Sequence, residues 1–204
     1  MSSRAEHWNR VHSARKPTEV SWYQVEPKVA LELVDAAGVP KDAPVLDVGA
    51  GASTLADALL DRGYRDVTLL DVSEAALGHV RERLGARMAE VRTVVSDVTA
   101  WQPERRYALG HDRAVFHFLT EAEDRASYLR ALDAALAPDG VVVLATFADD
   151  GPVTCSGLPV RRYSVDVLAA EVSGVLRLVE SRREAHTTPG GAVQSFVYGS
   201  FRRR

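Results

Sequence analysis

The stretch Val45 to Thr54, VLDVGAGAST, leaves an apolar run through an acid, Asp47, enters Gly49 and Gly51, and closes on Ser53 and Thr54. It has the form strand, tight turn, helix. VLDV (45–48) is short and apolar enough for a buried strand. STLADALLDRG (53–63) puts Leu55, Leu59 and Leu60 on one helical face and stops at Gly63. Such a unit opens a doubly wound sheet, and ligands of that architecture sit at the turn.

The same alternation continues along the chain. VTLLDVS (67–73) predicts a second strand, and SEAALGHVRERLG (73–85) a helix with Ser73 as N-cap and Gly85 as its stop. VRTVVSD (91–97) and YALGHDRAVFHF (107–118) predict strands three and four. TEAEDRASYLRALDAALAPDG (120–140) predicts a helix with a Thr120–Glu123 capping box, ended by Pro138 and Gly140. VVVLATF (141–147) predicts the fifth strand, and a further helix falls near 165–172. Two strand-like runs follow, 175–185 and 192–203, with no helix between them, so they pair as a hairpin around HTTPGG (186–191). The expected fold is α/β: a doubly wound, mostly parallel seven-stranded sheet with a C-terminal antiparallel hairpin. Within one domain over 1–204, residues 1–40 read as a helical lid over the sheet's C-terminal edge. Residues 45–147 read as a cofactor-binding core, and 148–204 as a substrate-side loop, a helix and the hairpin.

Composition narrows the function. With 25 basic and 28 acidic residues the net charge is -3, which disfavours a nucleic-acid partner. The single cysteine, Cys155, rules out an intrachain disulfide and a cysteine-rich zinc site, and no metal site is expected. VVVLATFA (141–148) is too short to span a bilayer, and MSSRAEHWNR lacks a signal-peptide core. No membrane partner and a cytoplasmic location are expected.

The glycine turn departs from a dinucleotide loop. A G-x-G-x-x-G loop holds a pyrophosphate on backbone N–H groups and a helix N-terminus. Here Thr54 replaces the third glycine, and Asp47 would repel a pyrophosphate at close range. The acid would attract a cation instead, such as the ammonium group of a nucleoside cofactor without phosphate.

VLDVGAGAST resembles the first motif of the class I S-adenosylmethionine-dependent methyltransferases. The resemblance covers roughly residues 22–147. It implies that Gly49, Ala50 and Gly51 let the backbone approach S-adenosyl-L-methionine, with Asp47 at its amino group. Asp71, in LLDVS, lies about 20 residues past the loop, where an acid can hold ribose hydroxyls. The resemblance gives Asp71 and Val72 that place, and Asp97 and Val98, in VVSDVTAW, a place at the adenine. Each acid taken alone also reads as a helix cap or a solvated loop acid. Trp22 and Tyr23, in EVSWYQVEP, are lid aromatics that cover the cofactor or pin the lid to the core; Trp8 is a weaker member of that set.

The segment HDRAVFHFLTEAEDRASYLRAL (111–132) carries the candidate chemistry. The Asp112–Arg113 pair resembles the DR pair of the thiopurine and thiol methyltransferase branch, where the arginine lies beside substrate and cofactor. Ala108 and Gly110 depart from that branch just upstream. Arg113 reads either as a bidentate group for a polar or anionic acceptor or as half of an ion pair with Asp112 or Glu121. His111 and His117 would share a face on a regular strand. With Asp112 they are the candidate general bases, or else buried structural histidines. His186, Arg161, Arg162 and Tyr163 are further candidates on the substrate side. Cys155 as a nucleophile finds little support.

The resemblance implies methyl transfer from S-adenosyl-L-methionine, with S-adenosyl-L-homocysteine as product. No appended substrate domain is expected, which favours a small-molecule acceptor; a monomer or homodimer is expected. A protein lysine methyltransferase and a non-catalytic cofactor-binding protein are the alternatives. An NAD-dependent oxidoreductase conflicts with Asp47 and the missing third glycine.

Overall fold

The computed structural model describes residues 3–204. Its main sheet uses seven strands. Those are β1 (Val45–Val48), β2 (Val67–Asp71), β3 (Val91–Val95), β4 (Tyr107–Arg113), β5 (Leu136–Phe147), β8 (Leu176–Thr187) and β9 (Val193–Arg203). The remaining two, β6 (Thr154–Cys155) and β7 (Leu158–Pro159), make a small separate hairpin that the sequence pattern did not signal. The spatial order is β3-β2-β1-β4-β5-β9-β8. Pairings from β3 through β5 are parallel, and β9 runs antiparallel to both β5 and β8. The expected seven-stranded sheet with its terminal hairpin is therefore present. The order reverses between β1 and β4, and the crevice at that switch point is where such sheets bind ligands.

Side-chain alternation sorts the core onto two faces. On one face, α2 (Lys28–Ala37), α3 (Leu55–Asp61) and α4 (Glu74–Leu84) bury residues such as Leu31, Leu59 and Val80 against Val45, Leu109 and Val143. On the other, α5 (Ala122–Ala135) and α6 (Val165–Val172) bury Tyr128, Leu132 and Leu168 against Leu46, Val142 and Leu144. Remaining from the N-terminal segment is α1 (Arg4–Ala14), started by a Ser3–Glu6 capping box. Only α1 and the linker after it form a lid. The expectation that residues 1–40 roof the sheet is corrected at α2, whose Ala30, Leu31, Leu33 and Val34 belong to the core.

Local chemistry moved several boundaries. The fourth strand stops at Arg113, because Ala114 takes φ 72° and a short 3-10 turn follows at Phe116–Phe118. Asp112 fixes that turn: its carboxylate accepts from Val115 N–H at 2.9 Å and Phe116 N–H at 3.2 Å. The helix expected over 120–140 is α5, and it ends at Ala135. Leu136 already pairs with Tyr107, and Ala137 to Gly140 bulge out before Val141 pairs with Leu109. Nor does the expected capping box form, since Glu121 is the N-cap and makes no side-chain cap bond. No helix among the described residues is long and apolar enough to cross a membrane.

Candidate functional site

A cavity opens at the C-terminal ends of β1, β2, β4 and β5, beneath α1 and the linker. Its floor is the glycine turn. Gly49 and Gly51 have φ 64° and 55°, the left-handed region that glycine enters without strain. A Cβ on Gly49 would come within 1.9 Å of Val115 Cγ2, so a side chain there would drive into the cavity wall. Gly49 N–H and Ala50 N–H donate to Leu70 O at 2.7 and 3.1 Å. Gly51 N–H donates to Asp71 Oδ2 at 2.7 Å, and Ser73 N–H to Asp71 Oδ1 at 2.7 Å. Asp71 thus ties the turn to the start of α4. Burial, assisted by the charge of Asp47, pushes its carboxyl up to about 6.

Asp47 and His111 are register partners on β1 and β4, so their side chains stand side by side on the cavity face. His111 Nδ1 lies 2.7 Å from Asp47 Oδ1 in a pair that is 6% and 3% exposed. A carboxylate only accepts, so Nδ1 carries a proton, and in the neutral imidazole Nε2 is the acceptor. Arg113 follows two residues later on the same face. Its Nε donates to Tyr198 Oη at 2.8 Å and its Nη1 to Trp22 O at 3.1 Å. Three buried atoms along this line have no hydrogen-bond partner among the described residues: Asp47 Oδ2, His111 Nε2 and Arg113 Nη2. Other buried atoms are unpaired elsewhere, but these three stand together on one wall of the cavity, where a ligand could meet all of them.

Asp97 lies at the cavity's other end and is already engaged. Its Oδ1 accepts from Thr99 N–H at 2.9 Å, and its Oδ2 from Arg4 Nη1 of α1 at 3.0 Å. Val72, Val98, Trp22, Tyr23, Trp8 and Cys155 line the cavity.

Two of the candidate bases lie elsewhere. Asp112 points to the opposite face, where it also accepts from Tyr128 Oη at 2.7 Å, and is fully buried. Burial pushes its carboxyl up to about 6, but all its partners are structural. His117 does not share a face with His111, because the strand ends before it. Its Nδ1 accepts from Phe147 N–H at 3.3 Å, its ring packs on Phe118 and Phe147, and burial lowers its pKa to about 3. The ion pair expected of Arg113 is also corrected: the partner is Glu184, at 3.6 Å, and neither Asp112 nor Glu121. His186 anchors the linker through Ser21 O at 2.8 Å. Arg161 pairs with Glu171, Arg162 bonds Gly151 O, and Tyr163 is buried in the core, so none of the three faces the cavity.

Sequence reasoning missed Phe147, Phe196, Tyr198, Glu184 and His12. Phe147 ends β5 and the next three lie on the β8–β9 hairpin, and the two meet only through the β5-β9-β8 order. His12 faces the turn from α1, about 3.8 Å from where a Cβ on Gly51 would sit.

Comparison with known proteins fits this geometry. A family model described as a methyltransferase domain matches residues 45–140. The chain is 28% identical over 140 residues to the "eEF1A lysine and N-terminal methyltransferase" of Mus musculus, covering 68% of this chain and 20% of that protein. It therefore spans about a fifth of that relative's length. Among solved structures, one from work on the conversion of a disulfide bond into a thioacetal group during echinomycin biosynthesis aligns with a TM-score of 0.78. It is 21% identical and covers 98% of this chain and 92% of its own. The 1,6-didemethyltoxoflavin-N1-methyltransferase of Burkholderia thailandensis, solved with 1,6-didemethyltoxoflavin and S-adenosylhomocysteine, aligns with a TM-score of 0.70. It is 26% identical and covers 87% and 77% of the two chains.

Proposed function

We propose, from the premise that the core of this chain belongs to the class I S-adenosylmethionine-dependent methyltransferases, that the protein methylates a small-molecule nucleophile. The observation that carries the cofactor end is the free, buried Oδ2 of Asp47 beside a two-glycine turn at the sheet's switch point. That oxygen suits a buried ammonium group, because a charge removed from water needs an opposite partner. Bound there, the cofactor supplies an electrophilic methyl group on a positively charged sulfur.

The chain's own residues would do the rest. Gly49, Ala50 and Gly51 give the close backbone approach. Asp71 and Val72 would meet the ribose, and Asp97 and Val98 the adenine, with Arg4 sharing or releasing Asp97 Oδ2. Trp8 and Trp22, edge to face at 5.9 Å, would exclude water and favour a nearby cation. His111 Nε2 would take a proton from an acceptor hydroxyl or amine, with Asp47 holding the imidazole in the required tautomer and stabilising it once charged. Such a site works mainly by alignment and desolvation.

A small acceptor is favoured by the roof, since α1 and the linker close over the cavity. A protein lysine acceptor is the second reading, favoured by the mouse relative. Calorimetry separates these from other classes. S-adenosylhomocysteine is expected to bind while NAD does not, and the reverse ranking would overturn the reading. Methyl-labelled cofactor offered to a thiol, amine and phenol panel and to a lysate tests the acceptor. Label entering proteins without a small product favours lysine. We expect Asp71→Ala to weaken S-adenosylhomocysteine binding by about 1–3 kcal/mol; an unchanged affinity would remove Asp71 from the site.

A further inference from the structure

Resting on the methyl-transfer reading, we propose that the acceptor is an uncharged planar ring bearing a carbonyl-type oxygen or ring nitrogen, held by the free N–H groups of Arg113 Nη2 beside Phe147 and Phe196. The geometry begins at β4. Two residues along a strand are roughly 6–7 Å, so His111 and Arg113 serve neighbouring parts of one cavity. The Arg113 side chain is only 8% exposed. Its Nε and Nη1 are used by Tyr198 and Trp22, which fixes the guanidinium plane and leaves Nη2 with donors to spare.

The charge at this end is already balanced. Glu184 lies 3.6 Å from Nη2 and is 14% exposed. It is held by Gln24 Nε2 at 2.7 Å on one oxygen and Tyr198 Oη at 2.7 Å on the other. An anionic acceptor reaching Nη2 would approach that carboxylate within a poorly hydrated wall, where like charges repel strongly. A cationic acceptor would meet the guanidinium itself. A neutral acceptor atom takes the N–H bonds and disturbs neither charge.

The surrounding wall has the matching shape. The guanidinium lies 4.1 Å over the Phe196 ring, and Phe196 meets Phe147 at 4.8 Å and 65°. Cys155 completes the wall; burial raises its thiol to about 11, so it stays neutral and adds apolar surface. Flat rings pack well against aromatic edges and faces.

The test uses benzamide, benzoate and benzylamine as size-matched neutral, anionic and cationic probes. Each is titrated by ligand-detected NMR into the full chain saturated with S-adenosylhomocysteine. Benzamide should bind at least about tenfold tighter than either charged probe, because only it leaves the Arg113–Glu184 pair undisturbed. Glu184→Gln should raise benzoate affinity about tenfold by leaving Arg113 uncompensated. Benzoate or benzylamine binding the wild-type protein as tightly as benzamide overturns the inference, and this ranking needs no variant to fold. Tightest binding of benzylamine would point to a lysine-like acceptor instead. Failure of S-adenosylhomocysteine itself to bind in the saturation step overturns the methyl-transfer reading, a result distinct from a reversed probe ranking.

Discussion

The two ends of the cavity are closed by opposite means. At the cofactor end α1 is held by an exposed cluster of ion pairs and by half-buried hydrogen bonds. Arg4, 40% exposed, reaches Asp97, 30% exposed, and also Asp124. Asn9 Oδ1 accepts from Ser73 Oγ and Ala75 N–H at the start of α4, and His12 O meets His79 Nε2. At the acceptor end the linker is held by half-buried hydrogen bonds to side chains that are themselves largely buried: Trp22 O by Arg113, Gln24 by Glu184, and Ser21 O by His186. Exposed ion pairs contribute little, whereas breaking a buried network leaves unpaired groups behind. On this difference we expect α1 to open before the linker, which would act as its hinge.

The largest expected effect is at the seam between the ends. Asp47→Ala removes the anchor of His111 and, on the proposed reading, the partner of the cofactor's ammonium group. We expect S-adenosylhomocysteine to bind roughly 2–5 kcal/mol more weakly by calorimetry, the cost of truncating one side of a buried charged contact. A loss of only a few tenths would detach Asp47 from the cofactor.

Next comes pH. Burial, with His79 nearby, lowers His12 from 6.5 to about 4. A depressed folded value means that docked α1 prefers neutral His12. As pH falls from about 6.5 towards 4, the undocked state takes up a proton that the docked state refuses, and docking weakens by at most about 3 kcal/mol. Hydrogen exchange in α1 should therefore speed up over that window, and by more than in residues 20–24, where burial also lowers His186, the partner of Ser21 O. Equal loosening of both segments would erase the contrast between the two ends.

Tyr198→Phe tests the buried end. It removes a hydroxyl that accepts from Arg113 and donates to Glu184. We expect a stability loss of about 1–3 kcal/mol in urea unfolding, because both partners stay buried. The smallest effect belongs to Arg4→Ala, worth under about 1 kcal/mol and visible as faster exchange in α1 with global stability unchanged. If Arg4→Ala destabilised the protein more than Tyr198→Phe, the hinge would lie at the other end.

Much of this was legible in the chain. The strand–helix alternation and the hairpin followed from periodicity, and Asp47, Gly49, Gly51 and Asp71, singled out by their local motifs, line the cavity. What could not be read depends on where the chain turns. His117 was misplaced because Ala114 adopts φ 72°, which interrupts the alternation that would have aligned it with His111. Asp112 looked chemical because its neighbours do, yet strand parity sends it to the α5 face. Glu184 and Tyr198 lie in the expected hairpin, but nothing in its sequence says which strand it docks on, and only the order β5-β9-β8 brings them to Arg113.

That strand order also governs assembly. On the ribosome β8 emerges before β9, yet it has no place in the sheet until β9 has paired with β5. For that interval β8 is a nascent strand without a partner, the kind of segment that seeds mispairing between chains. Its charges, Arg177, Glu180, Arg182 and Arg183, keep it hydrated while it waits, and they guard the sheet edge once it has docked.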